Sequence, residues 1–262
     1  MLSDSQAAVP TSSHDDIHAP ALLHHFATEE QQRNASSFGM WIFLGTEVMF
    51  FGGLFVSYLI YRLWYFGDFG AASKSIDATL GATNTAVLIC SSLTVAMAVR
   101  AAQMGKRQLQ VKLLLATLFF GIVFLGVKGK EWTDKYKEHH IPTFSDYNAV
   151  SGEGDLTKGH EHLLGLDKLK NDPVKLQERK AEIQQRTKIF FSLYFALTGM
   201  HAIHMIIGVG IFGVITFMAW KGRFTPEYHT PLEIAGLYWH FVDIVWIYLF
   251  PLLYLIDRRP GA

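Results

Sequence analysis

Residues 189–220 read IFFSLYFALTGMHAIHMIIGVGIFGVITFMAW and contain no Asp, Glu, Lys or Arg. As a helix rising about 1.5 Å per residue, this run exceeds the ~30 Å hydrocarbon core of a bilayer. A helix at the surface of a soluble domain would turn one charged face to water. The stretch therefore reads as a transmembrane helix, and it sets the standard for the rest of the chain. Four other stretches approach it: 38–61, 80–101, 111–127 and 234–256. The fold class that follows is all-α, a polytopic membrane helical bundle with about five transmembrane helices.

Outside these spans the composition changes. Half of the residues are hydrophobic, yet 23 Lys and Arg balance 23 Asp and Glu, and these charges crowd between the spans. Residues 1–37 are polar and form an expected cytoplasmic tail. Its His14, His18, His24 and His25 are read as solvated rather than metal-binding. Residues 38–262 form the membrane domain, with an extramembrane insertion at 128–188. The 174–188 portion, VKLQERKAEIQQRTK, has helix-forming composition and is expected to lead into the fourth span. Lys112 and Lys128 bracket the third span and are expected to snorkel. No basic region followed by a short apolar core opens the chain, so the first span is expected to act as its own targeting signal. The compact basic turn with Arg100, Lys106, Arg107 and Lys112 favours a cytoplasmic N-terminus and an outside C-terminus. Gly53-x-x-x-Ser57 suits close approach of a second helix. A single cysteine, Cys90, excludes a disulfide within the chain. Zero net charge without a basic stripe gives no support for nucleic-acid binding. No phosphate loop, dinucleotide fingerprint or nucleophile elbow is present, so nothing points to catalysis by this chain alone.

The polar residues inside the spans carry the functional information. A carboxyl at the position of Glu47 costs on the order of 2.5–3.5 kcal/mol to insert, so it must face protein, water or a headgroup, or hold a proton. Two readings stand together: a structural carboxyl bonded to a neighbouring helix, and a proton-exchanging one. His240 and Asp243 are three apart on one helix face, where a bond between them would lower the cost of both. His201 and His204 have the same spacing. A metal site ordinarily needs a third ligand, so a packing and hydrogen-bonding pair is the expected role, and no metal is assigned. Glu131 follows the third span beside Lys128, Lys130 and Trp132, where salt bridging is the ordinary explanation. Lys221 and Arg223 beside the fourth span suit a lipid phosphate.

Four segments in series carry a resemblance. They are Phe43-Leu-Gly-Thr-Glu47-Val-Met-Phe-Phe51-Gly-Gly53, Gly121-Ile-Val-Phe-Leu-Gly126 leading to Glu131-Trp132, Gly199-Met-His201-Ala-Ile-His204, and Tyr238-Trp-His240-Phe-Val-Asp243-Ile-Val-Trp246. Together they resemble the signature segments of cytochrome c oxidase subunit III, in order and across all five spans. The resemblance implies a non-catalytic subunit packed on subunit I of a haem–copper oxidase, with subunit II and a small subunit IV as further neighbours. It implies haem and copper in those partners and none in this chain, bound phospholipid in a cleft, and support of proton uptake. Glu47 then matches the family's carbodiimide-reactive carboxylate, while Glu131, His201, His204, His240 and Asp243 match its characteristic polar positions. Many members have seven spans, so this chain looks like a five-span bacterial form that lacks the first two. Its insertion is longer and more charged than the family suggests, and a cytochrome c or a neighbouring complex could meet it there. A quinol oxidase or a nitric-oxide reductase could use the same kind of subunit. Outside this family, a proton-coupled transporter using Glu47 and Asp243, or a haem-binding subunit using His201 and His204, would carry the same polar residues.

Overall fold

The computed structural model describes residues 26, 28–142, 147–152, 154–226 and 228–255. The tail histidines His14, His18, His24 and His25, and Asp257 to Arg259, lie outside them. Six α-helices account for most of the described chain: α1 Glu29–Trp64, α2 Phe66–Lys74, α3 Ala78–Gln103, α4 Arg107–Lys137, α5 Pro173–Trp220 and α6 Thr230–Tyr254. All but the short α2 are long and apolar enough to cross a membrane.

Local chemistry sets the helix starts. Thr28 Oγ1 accepts a hydrogen bond from Gln31 N at 3.1 Å, and Asp77 Oδ1 accepts one from Thr79 N at 2.8 Å. Asp172 caps α5, with Pro173 in the first turn, where its missing N–H costs nothing. Three helices run beyond the spans expected from hydropathy. The first begins at Glu29 rather than Phe38, and α4 continues ten residues past Val127 to Lys137. The segment 174–188 is continuous with the fourth span in the single helix α5.

Helices α3 and α4 form an antiparallel hairpin, tied by Thr94 Oγ1 and Thr117 Oγ1 at 2.8 Å. Helix α6 lies against α3, also antiparallel. Trp246 Nε1 donates to Thr85 Oγ1 (3.1 Å), Trp239 Nε1 to Ser91 Oγ (2.9 Å), and Gln103 Nε2 to Glu233 Oε1 (3.0 Å). Trp239 fills the centre of the bundle, fully buried. It fits because Gly121 and Gly208 flank it: a Cβ on either would come within 3.0 Å of the indole ring. Close approach is thus built at these glycines and not at Gly53, where an added Cβ would meet nothing within 4 Å. Ser57 instead donates to Gly53 O within its own helix.

Helix α1 stands to one side. It touches α5 through Phe51 and Tyr58 and α6 through Phe43, while Trp41, Met49 and Leu63 face outward. At the end where α4 finishes and α5 begins, the insertion folds over α2. There Ala71, Leu164, Leu166 and Ile183 make a second small core.

Candidate functional site

Between α1, α5 and α6 lies a cleft of about 1110 Å³. Its walls are apolar, including Met40, Phe43, Ile207, Ile211, Ile215 and Ile234, and its mouth, at the N-terminal end of α1, carries Glu30, Gln32, Arg33 and Ser36. Glu47 and His204 form the floor. His204 Nε2 is 3.1 Å from Glu47 Oε2, and Nδ1 is 2.8 Å from Met200 O. A carbonyl only accepts, so Nδ1 carries the hydrogen. The Nε2–Oε2 contact then shares one proton, carried by either atom. Tyr238 reinforces the floor by donating to His204 O at 3.0 Å.

The two histidines of α5 part company. His204 turns to α1, whereas His201 is fully buried between Phe124 and Trp246, with ring centroids 5.4 and 5.0 Å away. They are not a bonded pair, and among the described residues no three His, Cys, Asp or Glu side chains are placed to hold a metal ion. His240 and Asp243 part in the same way. His240 Nδ1 bonds to Ser92 Oγ at 2.6 Å on α3 rather than to Asp243, whose buried oxygens make no hydrogen bond of normal geometry among the described residues.

Glu131 and Lys128 sit deeper than their place beyond a hydrophobic run suggests. Lys128 does not snorkel: it is 2% exposed and turns inward, 3.1 Å from an equally buried Glu131. Tyr194 and Tyr254 hydroxyls each donate to Glu131 Oε1 at 2.6 Å and accept from Lys128 Nζ at 3.0 and 2.6 Å. Every ammonium hydrogen thus has an acceptor, and the cluster joins α4, α5 and α6. Sequence reasoning named Glu131 and missed this setting. The available signal was the spacing of Lys128, Glu131 and Lys135, which is that of one inward helical face.

A second polar cluster fixes the insertion. Lys135 Nζ donates to Ser75 O at 2.8 Å and to Glu138, and His140 Nε2 lies 2.8 Å from Gly154 O while its ring stacks on Phe191. Burial pushes the Glu138 carboxyl up, but the His140 ring and the Lys135 ammonium outweigh it and hold it below the usual 4.5. A depressed folded-state value means stability that is present above about 4.5 and lost as the pH falls through the lowered value. The protection factors of amides in residues 147–152 and 154–160, exchange rates taken relative to the free peptide at the same pH, are therefore expected to fall as the pH drops below about 4.5, and Glu138→Gln should remove that added acid sensitivity.

Lys221 and Arg223 are exposed beyond α5, with Lys221 Nζ 4.5 Å above the Phe217 ring. Arg107, not either of these, satisfies the end of α5 by donating to Ala219 O and Trp220 O.

Five apolar helices, with their polar residues turned into the bundle, define a multi-pass membrane protein. Comparison with known sequences is specific. The profile of "Cytochrome c oxidase subunit III" matches residues 176–257. The Thermostichus vulcanus "Cytochrome c oxidase subunit 3" is 28% identical over 221 residues, covering 84% of this chain and 87% of the relative. The Nocardia farcinica "Probable cytochrome c oxidase subunit 3" is 28% identical over 223 residues, 85% of this chain and 89% of its own. The Gallus gallus "Cytochrome c oxidase subunit 3" is 26% identical over 237 residues, covering 88% of this chain and 72% of the relative. Over most of its length the chain is thus similar to cytochrome c oxidase subunit III proteins, with the profile match in α5 and α6.

Proposed function

We propose that the chain is the non-catalytic subunit III of a proton-pumping aa3- or caa3-type cytochrome c oxidase in a bacterial cytoplasmic membrane. It packs on subunit I, with subunit II and a small subunit IV nearby, stabilises the catalytic subunit and supports proton uptake. Haem and copper belong to those partners. What supports this reading, beside the family match, is the Glu47–His204 pair at the floor of an apolar cleft: a carboxyl bonded to a histidine within the span of two transmembrane helices. The N-terminus lies in the cytoplasm, so the cleft mouth meets the inner leaflet and the insertion faces outside, towards a cytochrome c or a neighbouring complex. Purification through a tag on this chain tests the assignment. A haem a spectrum and a subunit with a copper site for cytochrome c are expected. A chain that purifies alone and moves protons in liposomes, or that shows its own Soret band, would overturn it.

Glu47→Gln is expected to leave oxygen reduction within about twofold, because no electron path runs through this residue. It should abolish carbodiimide labelling of the chain, since an amide offers no acid to activate. Loss of haem absorbance in the variant complex would refute the separation of Glu47 from the redox centres.

The cleft suits phospholipid, with acyl chains along its isoleucines and the phosphate held at the mouth by Arg33. Lys221 and Arg223 add contacts worth about 1 kcal/mol each to an anionic surface. Neutralising both is expected to lower the number of phospholipids retained by the intact complex in native mass spectrometry. An unchanged number would remove them from the binding surface.

A further inference from the structure

The floor of the cleft has a property that a phospholipid does not use. Glu47 Oε2 is taken by His204, and Oε1 has no hydrogen bond from any described residue. Because His204 Nδ1 is fixed as a donor to Met200 O, only the Nε2–Oε2 proton moves. With that proton on the carboxyl, Oε1 is a carbonyl-type acceptor. With it on the ring, Oε1 is a carboxylate acceptor. In both states Oε1 accepts and never donates, so the floor calls for a ligand with a hydroxyl or N–H donor.

Position restricts the ligand further. Glu47 lies fourteen residues along α1 from Arg33, about 21 Å at 1.5 Å per residue. A phospholipid whose phosphate sits at Arg33 places hydrocarbon at this depth, and hydrocarbon leaves Oε1 without a donor. Around the pair the surfaces are aromatic. The Phe51 ring lies 5.4 Å and the Tyr238 ring 6.5 Å from His204, and Phe43 is 6.2 Å from Tyr238. Flat, apolar, membrane-soluble and hydroxyl-bearing describes a quinol.

We infer that the cleft floor binds the ring of an isoprenoid quinol, with one ring hydroxyl donating to Glu47 Oε1 and the prenyl chain running along Ile207, Ile211 and Ile215 towards the mouth. The quinone form has carbonyls that cannot donate, so the site prefers the reduced form. Binding alone is assigned, with no electron transfer at this site. The inference goes beyond the subunit assignment. It also departs from the phospholipid reading, since both occupants share the walls but only the quinol uses the floor.

The test uses the intact, cyanide-inhibited complex in phosphatidylcholine nanodiscs, under anaerobic reducing conditions, with an azido-benzoquinol bearing a ten-carbon chain as photoprobe. Labelling of this chain on cleft-lining peptides of α1 and α6 is expected. Unlabelled benzoquinol should compete and its dimethyl ether should not. Glu47→Leu should lower labelling by about tenfold, the effect of one lost hydrogen bond. Glu47→Gln, which keeps an acceptor oxygen, should stay within about threefold of the unaltered complex. Absence of cleft labelling, equal labelling of Glu47→Leu, or equal competition by the ether would each overturn the inference. None of these results would change the subunits that co-purify or the phospholipid count.

Discussion

Lys128→Met in the intact complex is expected to destabilise this subunit by about 3–5 kcal/mol, the cost of leaving one member of a buried pair without its partner. Methionine matches the lysine stem in length and flexibility, so little of the loss is packing. What disappears is the ammonium that satisfies Glu131 Oε2 and both tyrosine hydroxyls, and that lies 4.8 Å from the Tyr194 ring centroid and 5.3 Å from those of Trp246 and Tyr254. Glu131 is then left deep in the bundle with two hydroxyl donors and no counter-charge. The double variant Lys128→Met, Glu131→Leu should recover most of the loss, because it removes both charges together. Release of this subunit in a denaturing-detergent titration measures both variants. A single-variant loss below about 1 kcal/mol would mean that the pair is solvated, contrary to its burial.

That cluster also shows where sequence reading succeeds and stops. The five spans were legible because avoidance of water by an uncharged run is a property of the run itself, as in 189–220. The ends of the helices were not, because hydropathy treats each charge as a mark of solvent. Lys128 therefore read as the end of a span, although Glu131 and Lys135 follow it on the same helical face and all three are buried. The polar positions Glu47, His201, His204, His240 and Asp243 could be picked out in the sequence because each is rare inside a membrane span. Their partners could not. Residues three apart are turned by about 300°, so their side chains leave the helix about 60° apart. That difference sends His204 to α1 and His201 into the aromatic core, and sends His240 to Ser92. Helix spacing states which residues share a face, but which neighbour each one meets depends on crossing angles that a single sequence does not carry. The pairing of Glu47 with His204 spans 157 positions and is of this second kind.

The same limit hid Asp68, and the second large effect is expected there. Asp68 sits in the first turn of α2, only 2% exposed, and receives Arg179 Nη2 at 2.6 Å and Arg186 Nη1 at 3.2 Å from the extramembrane part of α5. Arg179 also donates through Nε to Leu164 O at 3.2 Å, and the Arg186 guanidinium lies 4.7 Å from the Tyr65 ring centroid. One carboxylate thus joins α2, the insertion and α5 above the small core of Ala71, Leu164, Leu166 and Ile183. Asp68→Ala removes the acceptor from two charge-assisted interactions. Both arginines are partly exposed and keep Glu182 within 3.1 Å, so they regain solvent and a counter-ion. The expected cost is therefore about 2–3 kcal/mol, below that of a fully buried pair. It should be local: residues 147–172 and α2 should exchange hydrogen faster and become open to protease, while the complex keeps its spectrum. Asp68→Asn, with one acceptor oxygen retained, should fall between. Raising the salt concentration should loosen the unaltered protein in the same region, because arginines at the water boundary are screened within about 10 Å at 0.1 M. Unchanged protection of 147–172 in Asp68→Ala would show that the apolar contacts alone hold the insertion down. The ion cluster would then be a consequence of docking and not its cause.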